Sequence, residues 1–223
     1  MRFQDAAADG RAVVYAGIQA DPLVGRLAGL LADATPAQLV LARAVMNGQS
    51  DDPATWRIVA PTCFPDDRSE AILAASLAVA GRADQVRNQV RGAIVEALTE
   101  LLLRRRAAAV RRERRILFDG VRAEIHPYDV TVETDGRPEA YDCKWSARGI
   151  SADVLHQLDD ARRNASQEDE RLDVALVVFD TRLACAVRLD RQTAPHADTR
   201  LVTIESLGSL AEPAGAGARQ SAD

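Results

Sequence analysis

Three residues of this 223-residue chain have types and a spacing that could do chemistry together: Asp129, Asp142 and Lys144. Asp135-Gly136 stands between two β-rich runs, Tyr128 to Thr134 and Glu139 to Trp145, and such a dipeptide signals a two-residue hairpin turn. That turn pairs Val130 with Tyr141 and Tyr128 with Cys143 on an apolar side, and sets Asp129 opposite Asp142 on the other. Side chains alternate along a strand, so Lys144 points the same way as Asp142. Directly opposed Cβ atoms lie about 5 Å apart, where two like charges are destabilising. A cation is therefore expected between the two acids. Magnesium suits the position, because it binds through one or two carboxylates and keeps water and phosphate as its other ligands. The Lys144 ammonium would then lie beside the metal-bound water. The bland alternative is a solvated hairpin face on which Lys144 bridges two carboxylates. Composition argues against it: of 28 Lys and Arg residues, Lys144 is the only lysine. Where positive charge defaults to arginine, a single lysine calls for a chemical reason. Pro138 lies inside the second run and could lengthen the turn or shift the register.

The stretch His126-Pro127-Tyr128-Asp129, followed by Asp142-Cys143-Lys144, resembles the split PD and D-x-K motifs of the PD-(D/E)xK nuclease superfamily, with Tyr128 inserted between the proline and the aspartate. Upstream, Gly92-Ala93-Ile94-Val95-Glu96 and then Leu101-Leu102 resemble the G-x-x-x-E and Leu-Leu helix that opens the core of Mrr-type restriction endonucleases. The resemblance spans about residues 84 to 190. It implies a restriction-endonuclease-like α/β core of helix, three strands, helix and strand. It also implies a catalytic set of Glu96, Asp129, Asp142, Lys144 and Gln157. In that set Asp129, Asp142 and Glu96 would hold Mg2+, with Mn2+ as a substitute, and Lys144 would position the attacking water and stabilise developing charge. Glu96 sits on the flank of its helix's apolar stripe, which leaves Glu100, one turn later, as a rival. The implied activity is Mg2+-dependent hydrolysis of DNA phosphodiester bonds in bacterial restriction or anti-phage defence. The rival expectation is a non-cleaving nucleic-acid-binding or assembly subunit that retains the nuclease fold.

The elements that must position these residues are legible in outline. Residues 1–80 read as a small helical N-terminal lobe, with apolar spacing from Asp21 to Leu31 and from Ala37 to Met46, the second helix capped by Thr35 with Pro36 at its first position and ended by Asn47-Gly48. A loop-rich connection with a short strand at Trp56 to Ala60 follows. Residues 81–207 form the expected nuclease domain. Within it, Val90, Ile94, Ala97, Leu98 and Leu101 keep helical spacing from Asp84 to about Arg106. Strands are expected at Ile116 to Phe118, Val121 to Ile125 and the two hairpin runs, then a helix from Ser151 to Ala165, then strands at Leu172 to Phe179, Leu183 to Leu189 and Leu201 to Ile204. This order predicts a mixed central sheet with helices on both faces. The small, polar segment 208–223 is expected to be disordered.

The net charge of −5 does not suggest a nucleic-acid partner, but its distribution does. Counting Lys, Arg, Asp and Glu, residues 1–80 carry −3, residues 81–122 carry +6 and residues 123–223 carry −8. Arg104, Arg105, Arg106, Arg111, Arg112, Arg114 and Arg115 crowd into twelve residues. A helix C-terminus accounts for two or three of them, and the rest suggest a DNA phosphate surface. Cys63, Cys143 and Cys185 form no CxxC pair, and His126, His156 and His196 have no metal-ligand spacing. The absence of a long apolar run or a signal-like N-terminus points to a cytoplasmic chain without membrane contact. A homodimer and a partner protein of a defence system remain open as partners.

Overall fold

The computed structural model describes residues 1–6, 10–48, 55–56, 67–122, 126–194 and 199–212. In chain order these form β1 (Arg2–Asp5), α1 (Gly10–Gln19), α2 (Pro22–Leu31), α3 (Pro36–Asn47), α4 (Asp67–Ala80), α5 (Asp84–Leu103), β2 (Val110–Phe118), β3 (Val121–Arg122), β4 (Tyr128–Val132), β5 (Glu139–Lys144), α6 (Ala152–Gln167), β6 (Asp173–Val178), α7 (Arg182–Leu189) and β7 (Arg200–Val202). Short 3-10 helices lie at Ala147–Gly149 and Ile204–Ala211. The architecture is α/β with a mixed sheet in the order β1-β2-β4-β5-β6-β7, and β3 pairs with β2. The β1, β2, β4 and β5 pairings are antiparallel, while β5, β6 and β7 run parallel.

Alternation along β6 divides the core. Ala175 and Val177 face a cluster built from α2, α3, α4 and α5, with Leu27, Ile72, Ile94 and Leu98 among its members. Val174, Leu176 and Val178 face α6, through Leu155, Leu158 and Ala161. A strand buried on both faces is what an unbroken apolar run requires. The N-terminal helices share one core with α5 and the sheet, and β1 of the expected lobe forms the sheet's edge against β2.

The caps act where their residues stand. Thr35 and Gln38 form a reciprocal capping box at 3.3 and 2.9 Å, Asp21 accepts from the Leu23 amide at 2.9 Å, and Ser151 caps α6. The hairpin register is the expected one: Val130 pairs with Tyr141 and Val132 with Glu139. Asp135-Gly136 sits at the tip of a six-residue connection, Gly136 adopting φ +77°, and Pro138 lies just before β5, where its missing N–H disturbs nothing.

Several expectations are corrected. The run expected as a strand at Leu183 to Leu189 is helix α7, started by Thr181, whose side chain accepts from the Ala184 amide at 3.3 Å. A short apolar run does not distinguish helix from strand by periodicity, and this helix buries Cys185 while leaving Leu183 and Val187 exposed. β2 begins at Val110 rather than Ile116, so Arg111, Arg112, Arg114 and Arg115 are themselves strand, held between β1 and β4, while Arg104 to Arg106 form the turn after α5. Residues 204–211 of the C-terminal segment form a 3-10 helix with Leu207 and Leu210 buried. Residues 213–223, Cys63, His196, most of the strand expected at Trp56 to Ala60 and residues 123–125 lie outside the described residues.

Candidate active site

The β4–β5 ladder ends at Val130 and Tyr141, one residue short of the two aspartates. There the strands part. Val130, Tyr141 and Cys143 pack toward α5, whereas Tyr128 packs under α6, opposite to the shared apolar side expected for Tyr128 and Cys143. Asp129 Oδ2 takes over the ladder's place and accepts from the Cys143 amide at 2.5 Å. Across the other edge of β4, the pairs Arg112–Val130 and Arg114–Tyr128 put Glu113 opposite Asp129, and Glu113 interrupts that ladder with φ +52°. A non-glycine residue in the left-handed region is uncommon and strained, and such residues cluster at functional sites.

The parted strands floor a cleft of about 560 Å³ whose lining includes Tyr15, Glu96, Glu113, Asp129, Lys144 and Trp145. Lys144 makes an ion pair with the buried Asp142 Oδ1. Burial alone would lower the Lys144 pKa, but the Asp142 and Asp129 carboxylates outweigh it and raise the pKa above its ordinary value. The lysine stem lies against Gly149: a Cβ there would stand 3.0 Å from Lys144 Cβ and Cδ. The 3-10 turn after β5 is thus a wall that fixes the lysine's path.

Glu96 reaches the cleft from α5 and is 4% exposed. Tyr15 donates its hydroxyl to Glu96 Oε1, and Gln19 Nε2 donates to Glu96 Oε2 at 2.9 Å and to Glu113 Oε1 at 3.3 Å. Gly92 leaves room for the phenol, whose oxygen would stand 3.3 Å from an added Cβ. Glu100, the sequence rival, is held by Arg104 and Arg112 and lies outside the cleft lining. Burial first, then the Asp142 and Glu96 charges, push the Asp129 carboxyl well above the usual carboxylate range. Glu96 is raised by burial against the lowering effect of Tyr15 and Gln19, and Glu113 by burial and then by Glu96. The cleft is a site of crowded negative charge, answered by the Lys144 ammonium and, at Glu96 and Glu113, by the Arg112 guanidinium.

Among the described residues, no group of three or more His, Cys, Asp and Glu side chains is gathered closely enough to hold a metal ion. Asp129 and Glu96 thus line one cleft, with Asp142 buried behind Lys144, but the three do not form a shared coordination sphere. Gln157 is 8% exposed and bonded to the backbone of His126. Its side chain accepts from the His126 amide at 3.2 Å and donates to the His126 carbonyl at 3.1 Å. It braces the segment that leads into Asp129 and does not line the cleft. Of the seven clustered arginines, five are committed to carboxylates: Arg104 and Arg112 to Glu100, Arg105 to Asp33, Arg106 to Glu139, and Arg114 to Glu133 and Asp5. Arg111 is exposed, with a long 3.4 Å contact to the Val110 carbonyl. Arg115 also has a partner.

Sequence reasoning missed Tyr15, Gln19 and Glu113. Glu113 carried one signal, as the only acid in Arg111-Arg112-Glu113-Arg114-Arg115; Tyr15 and Gln19 carried none, because they reach the cleft from a helix about eighty residues earlier in the chain.

No protein-family model matches the chain, and neither does any curated protein. Among solved structures, the crystal structure of protein VC1899 from Vibrio cholerae is similar over 94% of this chain and 56% of that one, with 14% sequence identity and a TM-score of 0.48. The chain thus spans little more than half the length of that neighbour.

Proposed function

We propose that this chain is a metal-dependent nuclease of the PD-(D/E)xK type, hydrolysing phosphodiester bonds of DNA. The observation that carries the reading is the only lysine, ion-paired to Asp142 beside Asp129 where β4 and β5 part, on the floor of an acid-lined cleft. The donor set fits a hard divalent cation. Asp142 Oδ1 is buried with the Lys144 ammonium as its partner, and the Asp129 carboxyl is raised partly by the Asp142 charge, so a cation between the two acids would relieve their repulsion. Asp129 and Asp142 would hold magnesium, which when bound supplies a lowered pKa for the attacking water and a clamp on the scissile phosphate.

The chain's own residues do the rest. Lys144, its stem confined by Gly149, holds its ammonium at a fixed point beside the two aspartates, where it meets charge developing on the phosphate. Glu96, with both oxygens engaged by Tyr15 and Gln19, contributes fixed negative charge from the helix side rather than a free ligand oxygen. Gln157 keeps Asp129 in place by bracing His126. The setting that the motif resemblance implies is restriction or anti-phage defence.

A second reading is a non-cleaving nucleic-acid-binding or assembly subunit that retains the fold, and it is favoured by the lack, among the described residues, of a three-acid metal group. Incubating supercoiled plasmid and linear DNA with the purified chain, with magnesium and with EDTA, separates the two. Magnesium-dependent cleavage that Asp129→Asn abolishes supports the nuclease; tight DNA binding without cleavage in either buffer supports the binding subunit.

A further inference from the structure

Beyond Trp145 the cleft borders a second cavity of about 680 Å³, and Asn88 and Trp145 line both. Three guanidinium groups line the second one, from Arg43 on α3, Arg91 on α5 and Arg148 on the 3-10 turn after Lys144, against a single carboxylate, Asp180. Asp180 is already engaged: Oδ2 accepts from Arg43 at 2.6 Å and from the Ala147 amide at 3.0 Å, and Oδ1 from the Thr181 amide at 2.8 Å.

Arg91 is the unusual member. It is 8% exposed, yet the groups it touches among the described residues are neutral: the Met46 carbonyl, Asn88 Oδ1 at 3.2 Å and the Trp145 ring at 5.4 Å. Its Nε has no partner among them. Burial first, then the nearby Arg87 charge and, less, Arg43, lower its pKa to about 10 against the opposing pull of Asp84, which is itself paired with Arg87. A buried charge is costly unless it is paired, so an arginine kept here without a carboxylate is set for an anion that arrives from outside. Arg148 is exposed at the same cavity and makes no ion pair among the described residues.

The neighbouring cleft supplies the need. Glu96, Glu113 and Asp129 line that cleft and confront an incoming phosphate with repulsion, offset by Lys144 and, at Glu96 and Glu113, by Arg112, while most of the Arg104–Arg115 cluster is committed to carboxylates. Guanidinium forks match phosphate oxygens bidentately. We infer that the second cavity is a phosphate subsite, in which Arg91 and Arg148 hold the phosphodiester of a nucleic-acid strand next to the one presented to Lys144. The identity of the anion as part of a strand rests on the proposed function; the cationic site does not.

The test reads binding without catalysis. Fluorescein-labelled single-stranded and duplex oligonucleotides are titrated in EDTA, over a range of salt, with the parent, Arg91→Gln and Arg148→Gln, and inorganic phosphate is titrated separately. Each variant is expected to bind oligonucleotide about tenfold more weakly and to lower the slope of log affinity against log salt by about one. Arg148 is exposed, so its variant keeps the test alive if Arg91→Gln does not fold. Unchanged oligonucleotide affinity and slope in the folded variants overturn the subsite, as does a dependence on Arg91 and Arg148 for inorganic phosphate alone. A parent that binds with the expected dependence but never cuts supports the subsite while sinking the nuclease reading.

Discussion

The end of the β4–β5 hairpin and the arginine run from Arg104 to Arg115 are the two charged regions that the sequence singles out, and the structure treats them oppositely. At the hairpin, Asp142, Asp129 and Glu96 share the field of one ammonium, and the Asp129 carboxyl is raised by burial and by the Asp142 and Glu96 charges. Along the arginine run, charge is largely matched within the fold: Arg106 forms a bidentate pair with Glu139 at 2.7 and 2.8 Å, also donates to Tyr141 and the Leu210 carbonyl, and so ties α5 to β5 and the C-terminal 3-10 helix. Density of charge in sequence is therefore a poor guide to function. What marks a site is charge that the fold leaves unanswered.

Sharpening that contrast begins with the largest effect. Arg106→Ala strands a buried Glu139 and is expected to cost about 3–5 kcal/mol, read in urea unfolding, whereas Arg111→Gln, at an exposed position, is expected to stay within about 0.5 kcal/mol of the parent. Equal effects would erase the distinction between matched and free arginines.

A smaller effect, on catalysis rather than stability, is expected of Gly149→Ala. The added methyl must push the Lys144 stem by a few tenths of an ångström, so cleavage should slow about tenfold in single-turnover assays while the melting temperature stays near the parent's. A normal rate would mean that the lysine's path is not set by this wall.

The mildest effect concerns pH. Because the folded Asp129 pKa is raised, the folded state keeps a proton that the unfolded state releases. The metal-free protein should therefore lose stability as pH rises from the ordinary carboxylate value through the raised one. Asp129→Asn removes this loss, so its melting temperature in EDTA should gain on the parent's with rising pH. Parallel curves would deny the crowding of charge.

Much of this arrangement was legible beforehand. Asp135-Gly136 set the strand register correctly, and Lys144 stood out by its rarity. The parting of the strands was not legible, because alternation assumes an ideal ladder and Asp129 instead bonds its own side chain to the Cys143 amide. Tyr15, Gln19 and the left-handed Glu113 escaped because long-range contacts and backbone strain leave no local pattern. The partners of the arginines were invisible for the same reason: Arg106 and Glu139 are far apart in sequence, so counting charge saw only one side of the pair. Helix α7 was misread because a short apolar run serves either structure, although Thr181 offered an N-cap signal.

The central claim is that Lys144 is catalytic, and Lys144→Arg tests it most directly. The substitution keeps the charge but replaces a compact ammonium with a wide planar fork that cannot occupy the same point beside the aspartates. Magnesium-dependent cleavage of plasmid and linear DNA is compared between parent and variant, alongside their melting temperatures. The account predicts a nearly unchanged melting temperature and a loss of cleavage of about 10²-fold or more. A parent that cuts and an arginine variant that cuts equally well would contradict it.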